Sequence, residues 1–176
     1  DGIIYDLRCS SNVREYVESL GGRAWESQTG HIAIQKTILE NRGLIGAELA
    51  GHYYFRDFYG QDSAYIAMLM AFAIASKSGR KFSEIISEIK KYSFSGEINF
   101  RLGEPEKAMD FLALRYSEKG GKVDRREGVK AVFGDWWFLA RTSNTEPVLR
   151  LVVEAGDDET MKQRVGELTR IINQYK

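Results

Sequence analysis

The first 48 residues alternate between two hydrophobic periods, and that alternation limits the fold more than any other feature. Ile3, Ile4 and Tyr5 form a short apolar run, after which Val13, Tyr16, Val17 and Leu20 recur at helical spacing until Gly21 and Gly22. Residues 23–27 read as a second strand, Ile34 and Ile38 mark a second helix closed by Asn41 and Gly43, and 44–48 return as a strand. Strand, helix, strand, helix, strand predicts an α/β layer, because parallel neighbours must be joined by a crossover and a helix is the usual one.

Further along, HYYFRDF is expected to pair as another strand, and Asp62 to cap the apolar stretch 64–75, AYIAMLMAFAIA. That stretch is shorter than the roughly 20 residues a membrane span requires, so it is expected to be a core helix ended by Gly79. Phe82, Ile85, Ile86 and Ile89 mark one more helix, ending in Lys90 and Lys91 where cations suit the negative end of its dipole. Beyond a boundary near 91–95, residues 96–101 alternate as a strand and 104–118 read as a helix opened by Pro105. Strand candidates follow at 128–133, 136–141 and 148–154. Met161, Val165, Leu168, Ile172 and Tyr175 then predict a closing amphipathic helix behind Asp157 and Asp158. The expected fold is α/β plus α+β, with an α/β domain over 1–92 and an antiparallel sheet with helices on one face over 93–176. Trp136 and Trp137 are expected to serve packing rather than sugar stacking.

Charge excludes some partners. Lys and Arg number 25 and Asp and Glu 25, so no global field draws the chain to nucleic acid or to an anionic membrane. Any bound anion must be held by a local cluster. The single Cys9 rules out an internal disulfide, and no secretory signal is expected at the N-terminus, which together point to the cytoplasm.

One such cluster is RTSNTEP, residues 141–147, with Arg150 shortly after it. Phosphate calls for charge and several short donors aimed at one point. Arg141 offers a planar fork, and Ser143, Asn144, Thr145 and the loop N–H groups can supply the rest. Taken alone, the same residues also suit an ordinary turn between strands.

RTSNTEPVLR followed by LVVEA resembles the phosphate-binding loop of the α-D-phosphohexomutase superfamily, which includes phosphomannomutase and phosphoglucomutase. GAELAGHYYF, residues 46–55, resembles the family's sugar-binding loop, and YDLRCSS (5–11) and TGH (29–31) resemble two further family segments. The likeness covers essentially the whole chain but only the family's third domain, without its first helix, and its fourth.

The resemblance implies part of an enzyme that interconverts hexose 1-phosphate and hexose 6-phosphate, of mannose or glucose, through a bisphosphate intermediate. It implies that Glu48 and His52 contact sugar hydroxyls, that Arg8 and His31 line the site, and that Arg141, Ser143, Asn144, Thr145 and, more weakly, Arg150 grip phosphate. In relatives a phosphoserine and a magnesium ion on an aspartate-rich loop carry the chemistry. Neither motif occurs in these 176 residues, so no catalytic or metal-binding residue is expected here, and magnesium is expected only in a full-length parent. Arg8 stands where the family usually has Lys. A guanidinium stays charged, so it can stabilise but hardly shuttle a proton. Ala47 and Ala50 replace a glycine and a serine of the sugar loop, removing one hydroxyl. For Glu48 a strand-end ion pair, and for His31 a bond to nearby backbone, are the purely structural alternatives. The absence of an initiating Met and the start directly in a strand lead us to expect a piece of a longer protein whose partner is the remaining N-terminal domains. The alternative is a stand-alone sugar-phosphate-binding module.

Overall fold

The computed structural model describes residues 2–143 and 148–176. The chain is a mixed α/β protein of two compact units, Asp1–Lys91 and Tyr92–Lys176.

The first unit is built on a sheet of order β2-β1-β3-β4-β5. Strands β1 (Gly2–Asp6), β2 (Arg23–Ser27) and β3 (Ile45–Ala47) run parallel, joined through α1 (Ser11–Ser19) and α2 (His31–Asn41). β4 (Tyr53–Phe55) and β5 (Gln61–Asp62) complete the sheet antiparallel. α2 seats Ile34 and Ile38 on Ile4 and Tyr54, with Trp25 packed alongside. Gly46 lets the helix come this close, since a Cβ there would stand 2.3 Å from Ile34 Cγ2.

Three local expectations are corrected in this unit. HYYFRDF is extended only over β4, because Arg56–Phe58 turns into a short 3-10 segment. Asp62 does not cap α3 (Ala64–Ser78). Ser63 does, its side chain accepting from the N–H of Ile66 at 3.3 Å. Nor is α3 a core helix. None of its residues is buried, and Tyr65 is 76% and Phe72 63% exposed. α4 (Phe82–Ile89) likewise keeps Phe82 and Ile86 exposed.

The second unit is one antiparallel sheet of order β6-β11-β10-β9-β8, with β7 pairing beside β6 on the edge of β11. Its strands are β6 (Ser93–Phe94), β7 (Ile98–Phe100), β8 (Lys122–Asp124), β9 (Val129–Val132), β10 (Trp136–Thr142) and β11 (Leu149–Ala155). The helices are α5 (Pro105–Glu118) and α6 (Asp158–Ile172). Period-2 alternation sorts the long strands. Trp136, Phe138 and Ala140 of β10 join Leu149, Leu151, Val153 and Ala155 of β11 in a core closed by Leu112 and Tyr116 of α5 and Leu168 and Ile172 of α6. Both helices thus cover one face. Trp136 packs in that core, stacked on Phe133 at 4.6 Å, while Trp137 on the other face donates to Glu154 at 2.7 Å.

Gly46→Ala is expected to destabilise the first unit by about 1–3 kcal/mol through overpacking against Ile34. Urea unfolding of the variant against the parent chain checks this, with Gly134→Ala, where a Cβ would meet nothing within 4 Å, as the silent control.

Candidate functional site

The first set of predicted residues gathers where β1 and β3 end. Asp6, fully buried at the end of β1, accepts from the backbone N–H of Arg8 at 2.8 Å and from Arg8 Nε at 3.0 Å. It also accepts from the backbone N–H of Leu49 at 3.0 Å, so one carboxylate ties the end of β1 to the loop after β3. The guanidinium, 6% exposed, reaches on to Glu48 at 3.2 Å. Glu48 in turn accepts from the Tyr54 hydroxyl at 2.7 Å and from the N–H of Gly30 at 3.3 Å. At 8% side-chain exposure, Glu48 is an anchored acceptor rather than half of a surface ion pair.

The turn that carries Glu48 closes on itself, with Glu48 N–H bonding His52 O at 2.9 Å and Gly51 N–H bonding Glu48 O at 3.0 Å. Gly51 has φ +89°, a conformation an L side chain resists. Beyond the turn, His52 Nδ1 stands 2.6 Å from Asp62 Oδ2, while Asp62 Oδ1 accepts from the N–H of Tyr53 at 3.1 Å. The imidazole is therefore held by its Nδ1 side.

These groups surround an open cavity of about 500 Å³, a size suited to a small ligand. Arg8, His31, Glu48, His52, Tyr54 and Asp62 all line it. His31, the first residue of α2, is exposed at its rim.

The electrostatics follow from these contacts. The hydrogen bond from His52 holds the Asp62 carboxyl below the ordinary aspartate value, with the Tyr53 N–H adding to it. Burial, then the carboxylate of Glu48, push the Tyr54 hydroxyl well above the ordinary tyrosine range, so it stays a donor. Burial and then the charge of Asp6 raise the Cys9 thiol to about 12, which leaves it a poor nucleophile at neutral pH.

The second set lies on the second unit. Arg141 and Arg150 sit directly opposite one another on β10 and β11. Arg141 is buried, 3.3 Å from Glu97 and 3.5 Å from Glu127, and Arg150 lies 3.7 Å from Glu97. Arg150 is thus a partly buried neighbour of Arg141 rather than a plain surface arginine. Arg141 Nε is buried with no hydrogen-bond partner among the described residues. The N–H of Ser143 bonds Val148 O at 2.9 Å, closing the neck of the loop. Asn144 and Thr145 lie outside the described residues.

Four participants escaped the sequence reading. Asp6 stood within the YDLRCSS segment, two residues before Arg8, and could have been flagged as its local partner. Asp62 was assigned to helix capping, and Glu97 and Glu127 carry no local signal at all. Among the described residues no three His, Cys, Asp or Glu side chains converge on a point that could hold a metal ion. Also among the described residues, no helix is long and apolar enough to cross a membrane.

Comparison with known proteins covers the same two units. Residues 1–92 match the family model for phosphoglucomutase/phosphomannomutase, alpha/beta/alpha domain III, and residues 97–171 match that for the C-terminal domain. A phosphomannomutase of Methanocaldococcus jannaschii is 36% identical over 170 residues, which is 97% of this chain and 37% of the relative. One from Escherichia coli K12 is 36% identical over 174 residues, 98% of this chain and 38% of the relative. The crystal structure of a phosphoglucomutase/phosphomannomutase family protein from Burkholderia thailandensis superposes with a TM-score of 0.82 at 26% identity, covering 99% of this chain and 37% of that one. The chain therefore spans a little over a third of the length of the curated relatives it matches.

Two expected outcomes follow from the geometry. Asp62 should titrate below the ordinary aspartate range in a carboxyl carbon NMR titration and return toward it in His52→Ala. Its pKa is depressed by folding, so its contribution to stability is present above the unfolded value and is lost as pH falls through the folded one. Asp6→Asn should cost about 3–5 kcal/mol by urea unfolding, because it leaves Arg8 buried with half its charge partnership gone.

Proposed function

Because the chain belongs to the phosphoglucomutase/phosphomannomutase family, we propose that it is the substrate-recognition portion of a phosphohexomutase interconverting hexose 1-phosphate and hexose 6-phosphate of mannose or glucose. The observation that carries this reading is the convergence of Arg8, His31, Glu48 and His52 on one open cavity, although they are spread over 45 positions, 8–52, of the sequence.

In this reading Glu48 accepts hydrogen bonds from sugar hydroxyls through lone pairs left over from Tyr54, Arg8 and Gly30. His52, oriented by Asp62, presents its Nε2 to a neighbouring hydroxyl. Arg8 is a positioning residue, because its guanidinium is committed to Asp6 and Glu48 and holds Glu48 at a fixed angle. Fixing the ring in this way lowers the entropy cost of presenting a phosphoryl group to chemistry supplied elsewhere. On the second unit Arg141 and Arg150, with Ser143, Asn144 and Thr145, grip the phosphate that is not being transferred. Glu97 pairs with both guanidiniums and Glu127 with that of Arg141. The phosphoryl-transferring serine and any magnesium ion belong, in this proposal, to other domains of a cytoplasmic full-length enzyme. No step is assigned to a metal here.

Two measurements test the reading. The purified 176-residue chain should turn over no mannose or glucose phosphate, even with magnesium and a hexose bisphosphate present, and turnover would sink the proposed division of labour. Calorimetric titration with mannose 6-phosphate should give weak binding that Arg141→Ala lowers by about tenfold to a hundredfold, the worth of one charge-assisted fork. Unchanged affinity in that variant would remove Arg141 from the site.

A further inference from the structure

A second polar concavity lies at the other end of the first sheet, where the parallel strands begin. Gly2 opens β1 opposite Arg23 of β2, Leu44 N–H bonds Gly2 O at 2.8 Å, and Arg56 N–H bonds Leu44 O at 3.0 Å. Arg23 and Arg56 are thus carried to the same level on either side of β1, while the sugar-facing residues cluster past its far end at Asp6. β1 is five residues long, which separates the two places by roughly 16 Å of strand. Between the arginines is a cavity of about 470 Å³ lined by Gly21, Arg23, Trp25, Asn41, Arg42 and Arg56.

The lining holds three guanidiniums and, among the described residues, no carboxylate. Arg56 is partly engaged, its Nε donating to the exposed Asp57 at 3.0 Å and its Nη1 to the Arg42 carbonyl at 3.3 Å. Among the described residues Arg23 and Arg42 have no ion pair. One cation at a helix C-terminus is ordinary, because it offsets the negative end of the dipole. Here Arg42 caps α2 and already meets that need, so Arg23 and Arg56 add charge the helix does not call for. Arg42 also holds a left-handed conformation, φ 53° and ψ 36°, where Gly or Asn would sit with less strain. In a chain with no net charge, three arginines facing one concavity concentrate positive potential in it.

We propose that this concavity binds a small anion carrying two phosphoryl groups, independently of the cavity at Glu48 and of the arginines on the second unit. A single phosphate presents too few oxygens to engage three planar forks two at a time, whereas a diphosphate spans them. Trp25 forms part of the wall and is the one tryptophan of the first unit, so its fluorescence reports occupancy directly.

The probe is inorganic pyrophosphate, titrated into the full 176-residue chain carrying Arg141→Ala so that the other arginine site is weakened. Calorimetry should show one-to-one binding, and Trp fluorescence should change in step with it. Adding Arg23→Ala, or Arg42→Gly, should weaken binding at least about tenfold each. Both variants should keep their unfolding midpoints, since Arg23 is exposed and glycine suits the backbone at 42. Adding Trp25→Phe instead should remove the fluorescence response while the calorimetric signal persists. The proposal is overturned if the Arg141→Ala chain binds no pyrophosphate, or if binding is the same with and without Arg23 and Arg42.

Discussion

The first unit depends on keeping one charged group, Asp6, entirely away from water at the end of a strand. A buried carboxylate is tolerated only when every lone pair is used and a cation stands close. Arg8 supplies the cation from two residues away, and the backbone N–H groups of Arg8 and Leu49 supply the fixed donors. Because one of those donors comes from the loop after β3, satisfying Asp6 also places Glu48. Glu48 then needs its own donors, and takes them from β4 through Tyr54 and from the start of α2 through Gly30. Four segments far apart in sequence are locked at one point by the need to leave no buried charge unpaired.

The second unit solves a related problem on a sheet face. β10 and β11 each send alternate residues into the core, and the others to the far side. Register therefore puts Arg141 beside Arg150, and two like charges directly across a strand pair repel. Glu97, whose carboxylate lies within ion-pair distance of both, offsets that repulsion. It can do so because β7 pairs β11 with Asn99 opposite Arg150, which brings the start of β7 to the same edge.

Elements long enough to show a period were legible in the sequence. The β1 to β3 alternation, α5, α6 and the strands β9 to β11 all run several residues with one face apolar. β5, β6 and β8 are two or three residues long, too short for alternation to be counted, and exist because a neighbouring strand offers its edge. Burial was less legible than secondary structure. The 64–75 stretch is apolar enough to be read as core, yet whether a helix is covered depends on what packs on it, which its own residues do not encode. Ser63 and Asp62 were both competent caps, and the choice was made ten residues upstream, where His52 and Tyr53 claim Asp62. In the site, the motif residues were readable from local pattern. Their partners were not, because Glu97 meets Arg141 across 44 positions and Glu48 meets Arg8 across 40.

The two proposed recognition regions differ in chemistry. A sugar ring offers hydroxyls, which need acceptors held at fixed angles, and a phosphate offers only oxygens, which need donors and positive charge. The first unit's cluster of Asp6, Arg8, Glu48 and Asp62 contains three carboxylates and one guanidinium, a poor host for phosphate and a good one for hydroxyls. The second unit presents paired arginines, and the buried Nε of Arg141 has no hydrogen-bond partner among the described residues. The same sorting of charge lets a chain with no net charge carry strongly unequal local fields.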